Sequence, residues 1–300
     1  MDIIKENEKM VSVQYDSILD IINGECPSKN EYNKRRFKEY KNHRSNHKWF
    51  GPTCTTAPEI IEKALLGDHK LYEKYLKPKM SMLGDQKDVA DSEQTIQVVK
   101  RKRIRCDQGD ELDIHKVYQG QMDKAWSKTE RIEVAQKFHL VTLMINYGGN
   151  CDIKAEDSLW RAAVAVRLAT ELEAAGKSVQ ILVGTVSNAT SNSHNKLFTE
   201  SVVIKRFNQK LSMERLAALS HIGAFRVFGF LGIVSQPSEA VGSLGYSSNF
   251  SENTMPIHLQ EEVDAGHTKF IHIGQALTLH SAKNELARCY AQMQEFAGQN

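Results

Sequence analysis

Residues 139–186 constrain the fold of this 300-residue chain more than any other segment. Residues 139–147 (HLVTLMINY) are apolar and β-branched, which is typical of a strand buried on both faces. Leu159 to Ala175 follow a helical apolar period, and Gly176 is a fitting helix stop. Residues 178–186 (SVQILVGTV) predict a second buried strand. A strand, a helix and a strand in this order form a βαβ unit, so we predict an α/β fold with a parallel sheet.

The segments that follow this unit predict further elements of the same α/β domain. Residues 198–207 and 269–274 predict strands, and residues 213–221 predict a helix. A C-terminal helix is expected from about Ser281, and residues 224–234 fit either a helix or a strand. The segment between Ser235 and Gly266 is rich in Gly, Ser, Asn and Pro, so we predict a loop there.

The first half of the chain is less regular. Its first 50 residues are polar and favour helix, and two short helices are expected between Pro58 and Pro78. Residues 95–106 predict a strand, and residues 112–117 predict either its return strand or a short helix. We therefore predict three parts: a basic helical N-terminal segment (1–50), a mixed α/β region with a β-hairpin (51–138) and an α/β domain (139–300).

Composition indicates an ordinary soluble globular protein. The chain is 41% hydrophobic and 25% charged, with a net charge of +2. Its five cysteines are widely spaced without a CxxC pair, which favours free thiols in a reducing compartment. The N-terminus is charged from Asp2 and has no apolar core, so no signal peptide is expected. The longest apolar run, near residues 222–234, is too short to span a bilayer. We expect a cytoplasmic protein with no membrane partner.

The ends of the two buried strands carry the residues most typical of a ligand site. Open α/β sheets bind ligands outside the carboxyl ends of their strands. Two loops supply candidates for contact with a ligand or partner, and these are Asn146, Gly148, Gly149, Asn150 and Asp152 after the first strand and Ser187, Asn188 and His194 after the second. The alternative is a polar surface loop. Because neither a G-x-G-x-x-G fingerprint nor a P-loop is present, no cofactor is expected.

This arrangement resembles a von Willebrand factor A-type domain, loosely over residues 139–297. In that family an apolar strand, a metal-binding DxSxS loop, an amphipathic helix and a second apolar strand follow one another, and the matching stretch here is Leu140 to Val183. The DxSxS positions hold Asn146, Gly148 and Asn150. A hard divalent cation needs negatively charged oxygen ligands among its donors, so we predict no metal. The resemblance implies a Rossmann-like sheet in the C-terminal half of the chain, preceded by a mixed helix and β-hairpin region.

The whole chain is also similar to a family of uncharacterised phage-encoded proteins. The stretches that carry this similarity are residues 49–51 (WFG), 59–66, 109–114 (GDELDI) and 140–183. The similarity implies a phage protein in the bacterial host cytoplasm, and no activity comes with it. Phage genomes often carry von Willebrand A-like proteins that partner a ring-forming ATPase, which is an analogy of fold.

Two segments concentrate positive charge and are candidates for nucleic-acid binding. They contain Lys34, Arg35, Arg36, Lys38, Lys41 and Arg44, and then Lys100, Arg101, Lys102, Arg103 and Arg105. The first segment interleaves its cations with aromatic residues, and proteins use charge for phosphates and rings for base stacking. The alternatives are a solvated basic helix and an edge strand protected by its charge. The near-neutral total charge counts against nucleic-acid binding.

Little in the sequence favours an enzyme. Catalysis would need a pocket that joins His272 or His280 to the loop at residues 187–194, and neither an HExxH nor a GxSxG motif is present. We therefore predict a non-enzymatic interaction or adaptor protein that binds a protein partner through the carboxyl-end loops of its sheet. The alternative is a nucleic-acid-binding protein that uses the basic segments at 34–48 and 100–105.

Overall fold

The computed structural model of the protein describes residues 3–7, 9–23, 31–84, 95–106, 109–137, 140–149, 151–188, 197–234, 247–248, 254–274 and 276–298. They belong to two compact units. The first unit combines Met1–Asp91 with His139–Gln299, and the second unit is Ser92–Phe138.

In chain order the described elements are β1 (Ile3–Glu6), β2 (Met10–Tyr15), α1 (Ile18–Asn23), α2 (Glu31–Lys41), α3 (His47–Phe50), α4 (Ala57–Leu66), α5 (His69–Leu71), a π-helical turn (Tyr72–Leu76), α6 (Lys77–Leu83), β3 (Thr95–Cys106), β4 (Glu111–Leu112), α7 (Ile114–Tyr118), a 3-10 turn (Met122–Lys124), β5 (Trp126–Lys137), β6 (Leu140–Asn146), α8 (Ala155–Ala174), β7 (Ser178–Asn188), β8 (Leu197–Lys205), α9 (Met213–Ser220), α10 (Ile222–Val234, with a π-helical turn at Phe225–Gly229), β9 (Ser247–Ser248), α11 (Ile257–Asp264), β10 (Lys269–Ile273) and α12 (Leu279–Gly298).

The first unit is built on one mixed sheet with the strand order β1-β2-β8-β7-β6-β10. Strand β6 runs parallel to β7 and to β10, whereas β7 and β8 are antiparallel. From β6 the chain passes to β7 on one side, and β10 pairs later on the other side. The strand order therefore reverses at β6, which is the point where open α/β sheets usually form a ligand crevice.

The predicted βαβ unit is confirmed. Strands β6 and β7 pair in parallel from Leu140 opposite Ser178 to Asn146 opposite Gly184, and α8 connects them. Helix α8 begins at Ala155, four residues before the predicted start, and buries residues all around its axis. A helix that is buried on most sides has a weaker amphipathic pattern. The apolar period therefore did not predict its first turn.

The N-terminal segment is not purely helical, and this part of the prediction is wrong. Strand β2 pairs in parallel with β8 inside the main sheet, and all six of its residues are buried. Ser12 and Gln14 alternate with apolar residues, and such a pattern is typical of a segment with one face in solvent. The pairing with β8 inside the sheet buries both faces. The compact units do not divide at residue 50, because Met1–Asp91 contribute to the first unit, whereas a boundary does fall between Phe138 and His139, as in the predicted division.

The second unit contains the predicted hairpin, but with a different return strand. Strand β3 spans Thr95–Cys106 as predicted, and it pairs with β5 from Thr95 opposite Lys137 to Cys106 opposite Trp126. Residues 111–124 between the two strands form β4, α7 and a 3-10 turn. Strand β5 carries charged residues at many positions, which hid its strand pattern.

Two other local predictions need correction. The helix before Pro78 does not end there, because Pro78 lies in the first turn of α6 directly after the π-helical turn, where no intrahelical N–H is required. The segment predicted as loop before Gly266 contains helix α11. The open choice for residues 224–234 is settled as helix, within α10.

Candidate functional site

The loop after β6 is buried. Asn146 is fully buried, and Gly148 and Gly149 are buried as well. The Asn146 side-chain oxygen accepts a hydrogen bond of 3.1 Å from the backbone N–H of Gly148. The three residues that open the predicted ligand loop are therefore brought together, but inside the first unit.

A buried cation supports this loop. Arg161 of α8 is fully buried, and its Nη1 donates to the carbonyl oxygen of Asn146 and, at 2.8 Å, to that of Gly148. Burial lowers the pKa of Arg161 to about 10, so the guanidinium stays charged at neutral pH. Its Nε and Nη2 have no hydrogen-bond partner in the described structure. The positive charge of Arg161 is thus held against the neutral carbonyl groups of the loop.

The residues of this loop do not fit a divalent cation. The Asn146 and Gly148 carbonyl groups and the Asn146 amide oxygen already accept hydrogen bonds, and the guanidinium of Arg161 would repel a metal ion. Asn150, the last DxSxS position, lies outside the described residues. Within the described ranges, no group of three His, Cys, Asp or Glu residues is placed to hold a metal.

Helices α3 and α10 close the crevice above the loop. Arg226 Nη1 donates to the Trp49 carbonyl at 2.7 Å, and its Nη2 donates to the Cys151 carbonyl at 2.7 Å and the Ile153 carbonyl at 3.2 Å. Its guanidinium also lies over the Trp49 ring, 4.4 Å from the centroid. A Cβ atom added at Gly223 would come within 2.3 Å of the Phe50 carbonyl oxygen. The chain's own residues therefore fill the position that a ligand usually takes.

The second predicted loop is described only at its start. Ser187 is buried within β7, where it pairs with Phe198 of β8 and Ser247 of β9. Asn188 ends β7, its side chain is outside the described structure, and His194 lies outside the described residues. Asp152, from the first loop, is exposed. The eight candidates do not form one continuous surface in the part of the chain that is described.

The histidines proposed for an enzyme occupy different environments. His272 in β10 is partly buried, and burial together with the nearby Arg288 lowers its pKa to about 4. His280 is exposed on α12 and makes a hydrogen bond of 3.1 Å with Asn284. Of the loop at residues 187–194 that would join them in a pocket, residues 189–194 lie outside the described structure.

Sequence reasoning missed a buried, hydrogen-bonded pair of ionisable side chains, Tyr147 and Glu200. The Tyr147 hydroxyl donates to Glu200 Oε1 at 3.1 Å, and both side chains are buried. Burial raises the pKa of Glu200 well above its usual value, because a buried site disfavours the charged carboxylate. The lone acid in the apolar stretch LFTESVVIK was the available signal.

This acid predicts a specific pH dependence of stability. The folded state binds the Glu200 proton more tightly than the unfolded state, so the free energy of unfolding falls as pH rises above about 4.5. Glu200→Gln keeps the acceptor for Tyr147 and removes this titration. We expect urea denaturation between pH 5 and 7 to show a slope that differs from the wild type by up to about 1.4 kcal/mol per pH unit. Parallel pH profiles for the two proteins would contradict the raised pKa of Glu200.

The second unit exposes a group of large apolar side chains at its tip, the segment 111–124 between β3 and β5. They are Leu112, Ile114, Tyr118 and Met122, with exposures of 44%, 58%, 85% and 58%. Next to them an open cavity of about 340 Å³ is lined by Arg105, Leu112, Asp113 and Ser127. Arg105 and Asp113 form an ion pair of 2.8 Å in its wall.

The two basic segments lie in different units. In α2, Lys34 pairs with Glu31, and Glu39 pairs with both Arg35 and Arg36. Lys41 donates to the Ile22 carbonyl, while Lys38 and Arg44 are exposed. In β3, alternation puts positions 101, 103 and 105 on one face and positions 100 and 102 on the other. The side chains of 100–103 are outside the described structure.

The architecture is a mixed α/β protein: one unit holds a mixed sheet, and the other is a three-stranded antiparallel sheet. The chain belongs to the family described as "Domain of unknown function (DUF7192)", whose model matches residues 3–284 and so nearly its whole length. No curated protein and no solved structure matches the chain.

Among the described residues, no single helix is long and apolar enough to cross a membrane. Helices α9 and α10 meet that test of length and composition only as a pair, joined at a bend of 60°. Most residues of this pair are buried in the first unit.

Proposed function

We propose that this is a non-enzymatic interaction protein that docks a protein partner through the tip of its second unit. The observation that carries the proposal is the exposure of Leu112, Ile114, Tyr118 and Met122 within one short segment. Clustered exposed apolar side chains of this size commonly mark interaction sites, because burying them against a partner is favourable.

The tip is also a structured segment. The Gln121 N–H donates to the Lys116 carbonyl at 2.9 Å, which folds the 3-10 turn back onto α7. The Asp113 N–H donates to the Ala125 carbonyl at 2.7 Å and closes the segment at its base. A surface held in this way loses little conformational entropy when it binds a partner.

The burial of Asn146, Gly148 and Gly149 favours the tip over the carboxyl-end loops as the docking surface. We further propose a relation of the first unit to von Willebrand A-type domains, supported by the βαβ unit of β6, α8 and β7 with a degenerate loop in between. From the similarity to phage-encoded proteins, we propose a phage protein that acts in the bacterial host cytoplasm. By analogy with von Willebrand A-like proteins of phages, its proposed partner is a ring-forming ATPase.

The test compares partner binding by two variants that each remove exposed apolar surface. The tip variant carries Ile114→Ser, Tyr118→Ser and Met122→Ser. The control variant carries Leu66→Ser, at an apolar residue of α4 that is 76% exposed in the first unit. We expect proteins cross-linked to the wild type in infected cells to be retained by the control and lost by the tip variant.

The identified partner, a ring-forming ATPase on our proposal, is then purified and titrated against all three proteins. The tip variant is expected to bind at least about tenfold more weakly, since hot-spot truncations of aromatic and apolar anchors commonly cost that much. Equal affinities for wild type and tip variant would refute the tip as the docking surface. A partner without ATPase activity would refute the proposed class of partner.

A further inference from the structure

We propose that α2 is a binding site for single-stranded nucleic acid, with Tyr32 as the platform on which a base stacks. The site lies in the first unit and does not depend on the docking tip of the second. It rests on three observations: the geometry of the aromatic side chains on α2, their exposure and the local charge.

An alternating ladder of rings and cations runs along one face of α2. The Arg36 guanidinium lies over the Tyr32 ring at 5.6 Å and over the Tyr40 ring at 5.4 Å. Positions 32, 36 and 40 are four residues apart, so their side chains are neighbours on the helix surface. The Tyr40 ring meets Phe230 of α10 edge-on, with centroids 5.3 Å apart, which anchors the inner end of the ladder.

The outer end of the ladder is the Tyr32 ring. Tyr32 is 53% exposed, and Arg35 also lies over its ring at 5.5 Å. The ring is thus positioned by Arg35 and Arg36 while much of its surface remains in solvent. A base that stacks on such a ring would gain the contact without paying to order a flexible side chain.

The charge around this ring suits a phosphate backbone. Helix α2 contains five basic residues and two acids, a local net charge of +3, although the whole chain carries only +2. The side chains of Lys34, Arg35 and Arg36 are 44%, 68% and 40% exposed. Their ion pairs with Glu31 and Glu39 lie at the surface, where such pairs contribute little and exchange readily for phosphate contacts.

Single strands are favoured over duplexes for a steric reason. In a duplex the faces of the bases are stacked on each other, whereas in a single strand they are free to stack on an aromatic side chain. Stacking on Tyr32 uses only the face of a base, so weak sequence preference is expected. If this face of α2 were only a solvated surface, nucleic-acid binding would not depend on the Tyr32 ring.

The experiment is a fluorescence anisotropy titration of the full chain with a labelled oligothymidylate of about 16 nucleotides. The same titration uses a duplex of equal length. The variants are Tyr32→Ala, Tyr32→Phe and Arg36→Gln. Tyr75→Ala is the matched control, because it removes a partly exposed tyrosine outside α2 whose ring also lies near a cation, with Lys74 at 5.4 Å. Circular dichroism confirms that each variant is folded.

We expect the wild type to prefer the single strand and to lose affinity steeply between about 50 and 200 mM salt. Tyr32→Ala should weaken binding about tenfold, Arg36→Gln should weaken it less, and Tyr32→Phe and Tyr75→Ala should bind like the wild type. Absence of binding at low salt overturns the proposal. So does equal or stronger binding of the duplex, or unchanged affinity in Tyr32→Ala.

Discussion

Arg226→Met is expected to lower the free energy of unfolding by about 3 kcal/mol or more. The guanidinium donates to the carbonyl groups of Trp49, Cys151 and Ile153 and stacks on the Trp49 ring. Methionine fills similar space but donates nothing, so these part-buried carbonyl groups lose a charged donor, and hydrogen bonds to charged groups contribute about 1.5–3 kcal/mol each. Urea denaturation at neutral pH measures the effect.

Two further variants show whether the fork geometry of Arg226 causes the loss. Arg226→Lys keeps the charge but has a single ammonium, so it should recover only part of the stability. Arg215→Met is the control, because the Arg215 side chain makes one hydrogen bond among the described residues, of 3.3 Å to the Ala64 carbonyl. We expect a cost of about 1 kcal/mol there. Equal effects at the two arginines would show that Arg226 does not hold α3 and the loop after β6 together.

Gly223→Ala is expected to destabilise the first unit by about 3 kcal/mol. A Cβ atom at this position would lie 2.3 Å from the Phe50 carbonyl oxygen and 2.7 Å from the His221 ring. Because the closest atom is backbone, α3 or α10 must move as a whole, and the Arg226 contacts would move with it. Thermal and urea denaturation both report this change.

The control for this prediction is Gly274→Ala. A Cβ there would have its closest contact at 3.4 Å, with the flexible end of Glu285. We expect that variant to stay within about 1 kcal/mol of the wild type, because the added methyl group makes an ordinary van der Waals contact and Gly→Ala changes at compatible backbone positions have effects of that size. If Gly223→Ala were equally mild, the crevice above β6 would have to be looser than the structure shows, and a ligand could enter it.

The candidate ligand loop shows where reasoning from the sequence succeeded and where it failed. The apolar run ending at Asn146 correctly placed this loop at the carboxyl end of a parallel strand. Its burial could not be predicted, because Arg226 and Trp49 close it from segments far away in the chain. The burial of Arg161, with two nitrogens that lack a hydrogen-bond partner in the described structure, could not be predicted either. The apolar pattern of its helix gives no sign of a buried charge.

The exposed tip illustrates the opposite case. Leu112 and Ile114 were considered only as parts of a strand or helix, since an apolar residue is usually assigned to a core. Their exposure follows from their places in the second unit: Leu112 lies in the two-residue edge strand β4, and Ile114 begins α7 after the sheet. The ladder of Tyr32, Arg36 and Tyr40 was visible in part, as aromatic residues interleaved with cations.

The sequence by itself determined the elements with a long, regular apolar period. These are the βαβ unit around α8, strand β10 and helix α12, because burial imposes an apolar pattern on the residues themselves. Only the tertiary structure decided the role of short or polar segments such as β2 and the loop after β6. Their polar groups are satisfied or buried by partners distant in the chain, and a local pattern carries no information about those partners.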